Sequence, residues 1–98
     1  MSDVNQEDFV GPIIGLGEIA DAAMEAVYID NPGREIQIER NSGYVRVQVK
    51  GECLLKVDTM TEILGREFRM GDLESSMPGF AGFIRTSDDS IRFIASNK

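Results

Sequence analysis

Histidine and tryptophan are absent from the 98-residue chain, and cysteine occurs once, at Cys53. Without histidine the chain lacks the side chain most often used near neutral pH as general base, proton shuttle or transition-metal ligand. A single thiol closes no internal disulfide, and together with the missing imidazole it argues against zinc, haem, iron-sulfur and copper sites on this chain. No D-x-[DN]-x-[DN]-G calcium loop occurs either. Basic charge is also scarce, with 10 Lys and Arg against 17 Asp and Glu for a net charge of −7. Phosphate binding rests on clustered cations, so nucleic acid is not an expected partner. No apolar run approaches the roughly 20 residues that cross a bilayer, which argues against a membrane partner. The opening segment Met1-Ser2-Asp3-Val4-Asn5-Gln6-Glu7-Asp8 is acidic where a signal or transit peptide is basic, so a cytoplasmic location is expected.

What is present fits one small domain with a modest core, since 42% of the residues are apolar. Residues 1–9 read as a flexible tail and 10–98 as the domain. Val10-Gly11-Pro12-Ile13-Ile14 reads as a short strand, with Pro12 confining it to a sheet edge or a strand start. From Glu18 to about Ile29 a helix is expected, because Leu16, Ile19, Ala20, Ala23 and Val27 recur at helical spacing, and Asp30-Asn31-Pro32-Gly33 stops it. Alternation then predicts a hairpin of two strands, with Ile36 and Ile38 on one and Val45, Val47 and Val49 on the other, turning at Asn41-Ser42-Gly43. A third alternating set, Cys53, Leu55 and Val57, follows Gly51.

Thr59-Met60-Thr61-Glu62 matches a capping box, which predicts a helix starting there, with Gly65 as its left-handed terminus. A second short helix is expected over 70–76, stopped by Pro78-Gly79. Two strands are expected at 80–85 and 90–94, joined by a turn at Thr86-Ser87-Asp88-Asp89. The expected fold is α+β, with helices packed on predominantly antiparallel sheet in the order β-α-β-β followed by β-α-α-β-β.

Several motifs invite a chemical reading. Gly15-Leu16-Gly17-Glu18-Ile19-Ala20 fits G-x-G-x-x-A between a strand and a helix, so a small nucleotide- or ligand-binding module using the Gly15-Leu16-Gly17 turn is the alternative function. The hairpin that follows opposes it, because a dinucleotide fold needs alternating strands and helices in a parallel sheet. Cys53 has no histidine to activate it and shares a strand face with Leu55, so a buried apolar role is favoured. The carboxylate pair Asp88-Asp89 falls in a turn, where acids face solvent. Ser75-Ser76-Met77-Pro78-Gly79-Phe80-Ala81-Gly82 differs in kind, combining small residues, a proline and two large apolar side chains between a helix and a strand. Phe80 either tucks into the core or, with Met77, anchors a partner.

Taken in order, Val10-Gly11-Pro12-Ile13-Ile14, Ile29-Asp30-Asn31-Pro32-Gly33-Arg34-Glu35-Ile36, Leu64-Gly65-Arg66-Glu67-Phe68, Phe80-Ala81-Gly82 and Ile91-Arg92-Phe93 carry a resemblance. The chain resembles the small effector, or regulatory, proteins of bacterial multicomponent monooxygenases, which accompany soluble methane monooxygenase, phenol hydroxylase and the toluene and alkene monooxygenases. The likeness is closest to the four-component toluene and alkene branch. It implies a non-catalytic, cofactorless protein that binds a diiron hydroxylase, reshapes its active-site access, couples NADH consumption to oxygenation and tunes regiospecificity. It further implies a docking surface shared with a Rieske-type ferredoxin. By the same resemblance Ser76, Met77, Pro78, Gly79, Phe80, Ala81 and Gly82 correspond to the loop that enters the hydroxylase near its active-site pore. Asn31 and Pro32 correspond to an Asn-Pro turn whose role as helix stop outranks a contact role.

Overall fold

The structure, a computed structural model, describes residues 8–95. In chain order the elements are β1 (Phe9–Gly15), α1 (Glu18–Asp30), β2 (Ile36–Arg40), β3 (Tyr44–Lys50), β4 (Glu52–Lys56), α2 (Val57–Leu64), α3 (Met70–Ser75), β5 (Gly79–Ala81), β6 (Phe83–Thr86) and β7 (Ser90–Ile94). They form a four-stranded sheet in the order β2-β3-β1-β5 and a three-stranded sheet in the order β4-β7-β6, with every pairing antiparallel. The α+β expectation holds. Most of the expected tail lies outside the described residues, but Phe9 is already a buried member of β1.

Alternation places the core as the sequence predicts. Val45, Val47 and Val49 of β3, Cys53 and Leu55 of β4, and Ile91 and Phe93 of β7 are all buried. The hairpin turn forms at Asn41, whose side-chain Oδ1 accepts the Gly43 and Tyr44 N–H groups at 2.8 and 2.9 Å. α1 buries Ala20, Ala22, Ala23, Ala26 and Val27. This small-residue face lets the helix approach β1, β3 and β4 closely, with α2 alongside. Gly65 ends α2 at φ 73°, its N–H donating to the Thr61 carbonyl at 2.9 Å, as its type predicts.

Three expectations change. β1 lies inside its sheet, between β3 and β5, so Pro12 is not at an edge. The β1–β3 ladder accommodates it by lapsing at Gly11 and Pro12, between the pairs Val10 with Val49 and Ile13 with Arg46. Gly11 makes the close approach possible, since a Cβ there would sit 2.0 Å from the Val47 carbonyl oxygen at φ 148°. Second, α2 begins at Val57 with Lys56 as N-cap, so Thr59 caps nothing. Its hydroxyl donates instead to Asp30 Oδ1 at 2.7 Å, tying α2 to the end of α1. Third, the strand expected over 80–85 is two strands in two sheets. Gly82 breaks it at φ 104°, where a Cβ would lie 2.7 Å from Val10 Cγ1 and 2.9 Å from the Ile94 carbonyl oxygen.

Candidate functional site

The segment 76–82 runs from the end of α3 along the edge of the larger sheet to the crossing at Gly82. Its entry is fixed by backbone bonds: Ser76 donates to the Leu73 carbonyl at 3.0 Å, and its own carbonyl accepts the Gly15 N–H at 2.8 Å. Gly79, Phe80 and Ala81 then pair with Ile13, Pro12 and Gly11 of β1. The segment is therefore a short connection continuing into a strand, held on both sides.

Within it, Met77 is partly buried against the core cluster while Pro78 is exposed. Phe80 does both things the sequence left open. Its ring lies 5.8 Å from that of Phe93 at an interplanar angle of 49°, yet the residue remains 43% exposed. A tilted aromatic pair at this separation is an attractive contact, so the ring is held on one side while part of the residue stays in solvent. The segment thus presents a half-exposed aromatic on a sheet edge, seated on Phe93 and flanked by the small residues Gly79, Ala81 and Gly82.

Asn31 belongs to a different place and does different work. It is 4% exposed at the end of α1, where its Nδ2 donates to the Val27 and Leu54 carbonyls at 2.9 Å each and its Oδ1 accepts the Leu54 N–H at 2.8 Å. The side-chain amide thus mimics a strand partner along the outer edge of β4, and Asp30 Oδ2 extends the pairing by accepting the Lys56 N–H at 2.9 Å. These bonds commit the Asn31 side chain to the fold. Pro32, next to it, is exposed.

The Gly15-Leu16-Gly17 turn joins β1 to α1, but the Gly15 N–H is committed to Ser76 and both neighbours of β1 run antiparallel. Neither a free phosphate cradle at Gly15 nor a parallel-sheet crevice is formed by the described residues. Cys53 is fully buried, and its thiol is pushed up from about 9.0 to about 12 by burial, then by the nearby charges of Asp30 and Glu52. It is the wrong protonation state for a nucleophile. Among the described residues no group of three or more His, Cys, Asp or Glu side chains is disposed to hold a metal ion.

Large apolar side chains are also exposed elsewhere, above all Tyr28 and Ile29 at 58% and 57% exposure on α1 and Phe83 at 47% on β6. For α1 the signal was available: both residues fall off the stripe of Ala20, Ala23 and Val27. For Phe83 it was not, because the break at Gly82 decides which face of the smaller sheet it joins.

The MmoB/DmpM family profile matches residues 8–94. The chain is 36% identical over 91 residues, 93% of its length and 90% of the relative's, to the effector subunit of the alkene monooxygenase system of Xanthobacter autotrophicus (strain ATCC BAA-1158 / Py2). Its fold is shared with a chain in the phenol hydroxylase–regulatory protein complex, at a TM-score of 0.76 and 22% identity over 88% of this chain and 97% of that one. It is shared likewise with the soluble methane monooxygenase regulatory protein B, at a TM-score of 0.69 and 19% identity over 92% and 67% of the two chains.

Proposed function

The chain belongs to the MmoB/DmpM family, and from that membership we propose that it is the effector subunit of a multicomponent monooxygenase, acting in the cytoplasm on a diiron hydroxylase. The observation that carries this reading is the near-full-length relation to a protein named as an effector subunit of an alkene monooxygenase system. The geometry supports it, because what the molecule offers at 76–82 is a seated aromatic on a sheet edge rather than an activated nucleophile. It contributes shape to chemistry performed in the partner, and no cofactor of its own.

An effector changes its partner's behaviour only by binding two partner conformations unequally. A tenfold shift of that population needs about 1.4 kcal/mol of differential affinity. Phe80, half in the core and half out, can supply such a difference because Phe93 and the β1 pairing hold it in place on docking. The segment Ser76 to Gly82 inserts toward the hydroxylase's substrate passage, and a Rieske-type ferredoxin competes for part of the same surface. The test is reconstitution: purified hydroxylase, reductase and ferredoxin are assayed with increasing amounts of this protein. Turnover and product formed per NADH rise and saturate at a fixed ratio to hydroxylase. Turnover and coupling that ignore the added protein overturn the reading.

A further inference from the structure

α1 and α2 lie side by side, and the channel between them is open to solvent. Its apolar lining is Ala22 and Ile29 of α1 with Ile63 and Leu64 of α2; Ala22 is buried, Ile63 and Leu64 are half-buried and Ile29 is more than half exposed. Its rim is acidic, with Asp21 and Glu25 on one side and Glu62 on the other. Glu18 continues the acidic side at the start of α1, where Arg66 pairs with it. Arg66 is the one cation the described residues show bonded at this groove, against four carboxylates.

We propose that the α1–α2 groove is a second docking site, which takes a basic amphipathic helix of the partner hydroxylase. The inference rests on the effector reading above and extends it to a surface distinct from residues 76–82. Charge decides the sign of the occupant, because apolar side chains framed by carboxylates favour a segment whose apolar stripe is flanked by Lys and Arg. Backbone chemistry decides its conformation. The walls are helices whose main-chain groups are satisfied internally, so an extended segment pressed into the groove would bury unpaired N–H and C=O groups. A helix brings its own hydrogen bonds and packs as a third member beside α1 and α2 by interleaved side-chain ridges. The Gly15–Ser76 backbone bond ties the start of 76–82 to the residues that lead into α1.

The experiment measures association and dissociation of the full chain with purified hydroxylase at low and high ionic strength. The triple variant Asp21→Asn, Glu25→Gln, Glu62→Gln associates about tenfold more slowly than wild type at low salt and loses most of its salt dependence. A control removing three exposed carboxylates elsewhere, Glu35→Gln, Glu74→Gln, Asp88→Asn, retains the salt dependence. Ile29→Ser dissociates about tenfold faster with an unchanged melting temperature. If the groove variants bind like wild type while Phe80→Ala binds poorly, the groove is not a docking site and the effector reading stands. If the control loses as much as the triple variant, net charge rather than this groove is responsible and the inference falls. A wild-type chain that does not bind hydroxylase overturns both.

Discussion

At the scale of single residues, Asn31 and Phe80 contrast: one side chain is buried in hydrogen bonds, the other is nearly half exposed and is proposed to meet the partner. The Asn31 side chain makes three hydrogen bonds, a buried one to Val27 within α1 and two part-buried ones to Leu54 that hold the end of α1 against the outer edge of β4. Removing the amide leaves the Leu54 N–H and C=O without partners, and a buried polar group left unsatisfied costs about 1–3 kcal/mol. Asn31→Ala is therefore expected to lower unfolding free energy by about 2–4 kcal/mol in urea titration, while the folded fraction still binds hydroxylase at wild-type affinity. A stable variant with lost binding would move Asn31 into the interface. Cys53 adds a pH signature. Its thiol holds its proton to about pH 12 in the folded state, whereas an ordinary thiol releases it near 9.0. As pH climbs between those values the unfolded chain loses a proton that the folded chain keeps, so the thiol's contribution to stability is intact below 9.0 and declines above it. Cys53→Ala, read by denaturant midpoints across this range, flattens the alkaline decline. The same burial makes the native thiol unreactive to maleimide until the chain unfolds.

At the scale of elements, the features legible in the sequence are those set by near neighbours. The turn at Asn41, the alternation of Val45, Val47 and Val49, and the stop at Gly65 each depend on a few adjacent residues and form as their types predict. The features that were not legible depend on partners far along the chain. Thr59 has the spacing of a cap, but the Asp30 carboxylate, 29 residues away, takes its hydroxyl. Pro12 carries the mark of an edge strand, but Gly11 lets β3 pass so close that the ladder skips both residues. Residues 80–85 alternate like one strand, but Val10 and Ile94 crowd Gly82 and only a left-handed glycine can make the crossing. The candidate segment stood out by its composition and by the resemblance, whereas the tilted contact of Phe80 with Phe93 needed the fold. Gly11 and Gly82 are thus the two positions where an added methyl group meets backbone or core at a forbidden distance. Gly11→Ala is expected to abolish cooperative unfolding or lower the midpoint severely, because neither the Val47 carbonyl nor the φ of 148° can yield. Gly33→Ala has open space around its Cβ and carries only the strain of its positive φ, so circular dichroism melts of the two variants should differ sharply.

At the scale of the whole molecule, large apolar side chains interrupt an acidic surface at several places among the described residues, and two of these bear on docking: the Phe80 edge and the α1–α2 groove. Neither strengthens the isolated fold, since exposed apolar area gains nothing until it is covered. Phe80→Ala removes the exposed edge proposed to meet the hydroxylase but also the contact with Phe93, so a loss of activation alone would be ambiguous. Phe80→Leu keeps an apolar side chain against Phe93 and removes the ring. If shape complementarity in the partner is what biases the hydroxylase, Phe80→Leu melts within a few degrees of wild type yet yields less product per NADH at saturating protein. The deficit persists when more effector is added, because saturation corrects affinity but not the difference in affinity between two hydroxylase conformations. Met77→Ala, whose side chain packs on the core, should show the reverse: a lower melting temperature with near-normal coupling once saturated. Coupling in the Phe80→Leu variant that recovers fully with added protein would mean that the ring contributes binding energy alone, and that the bias arises elsewhere on the docking surface.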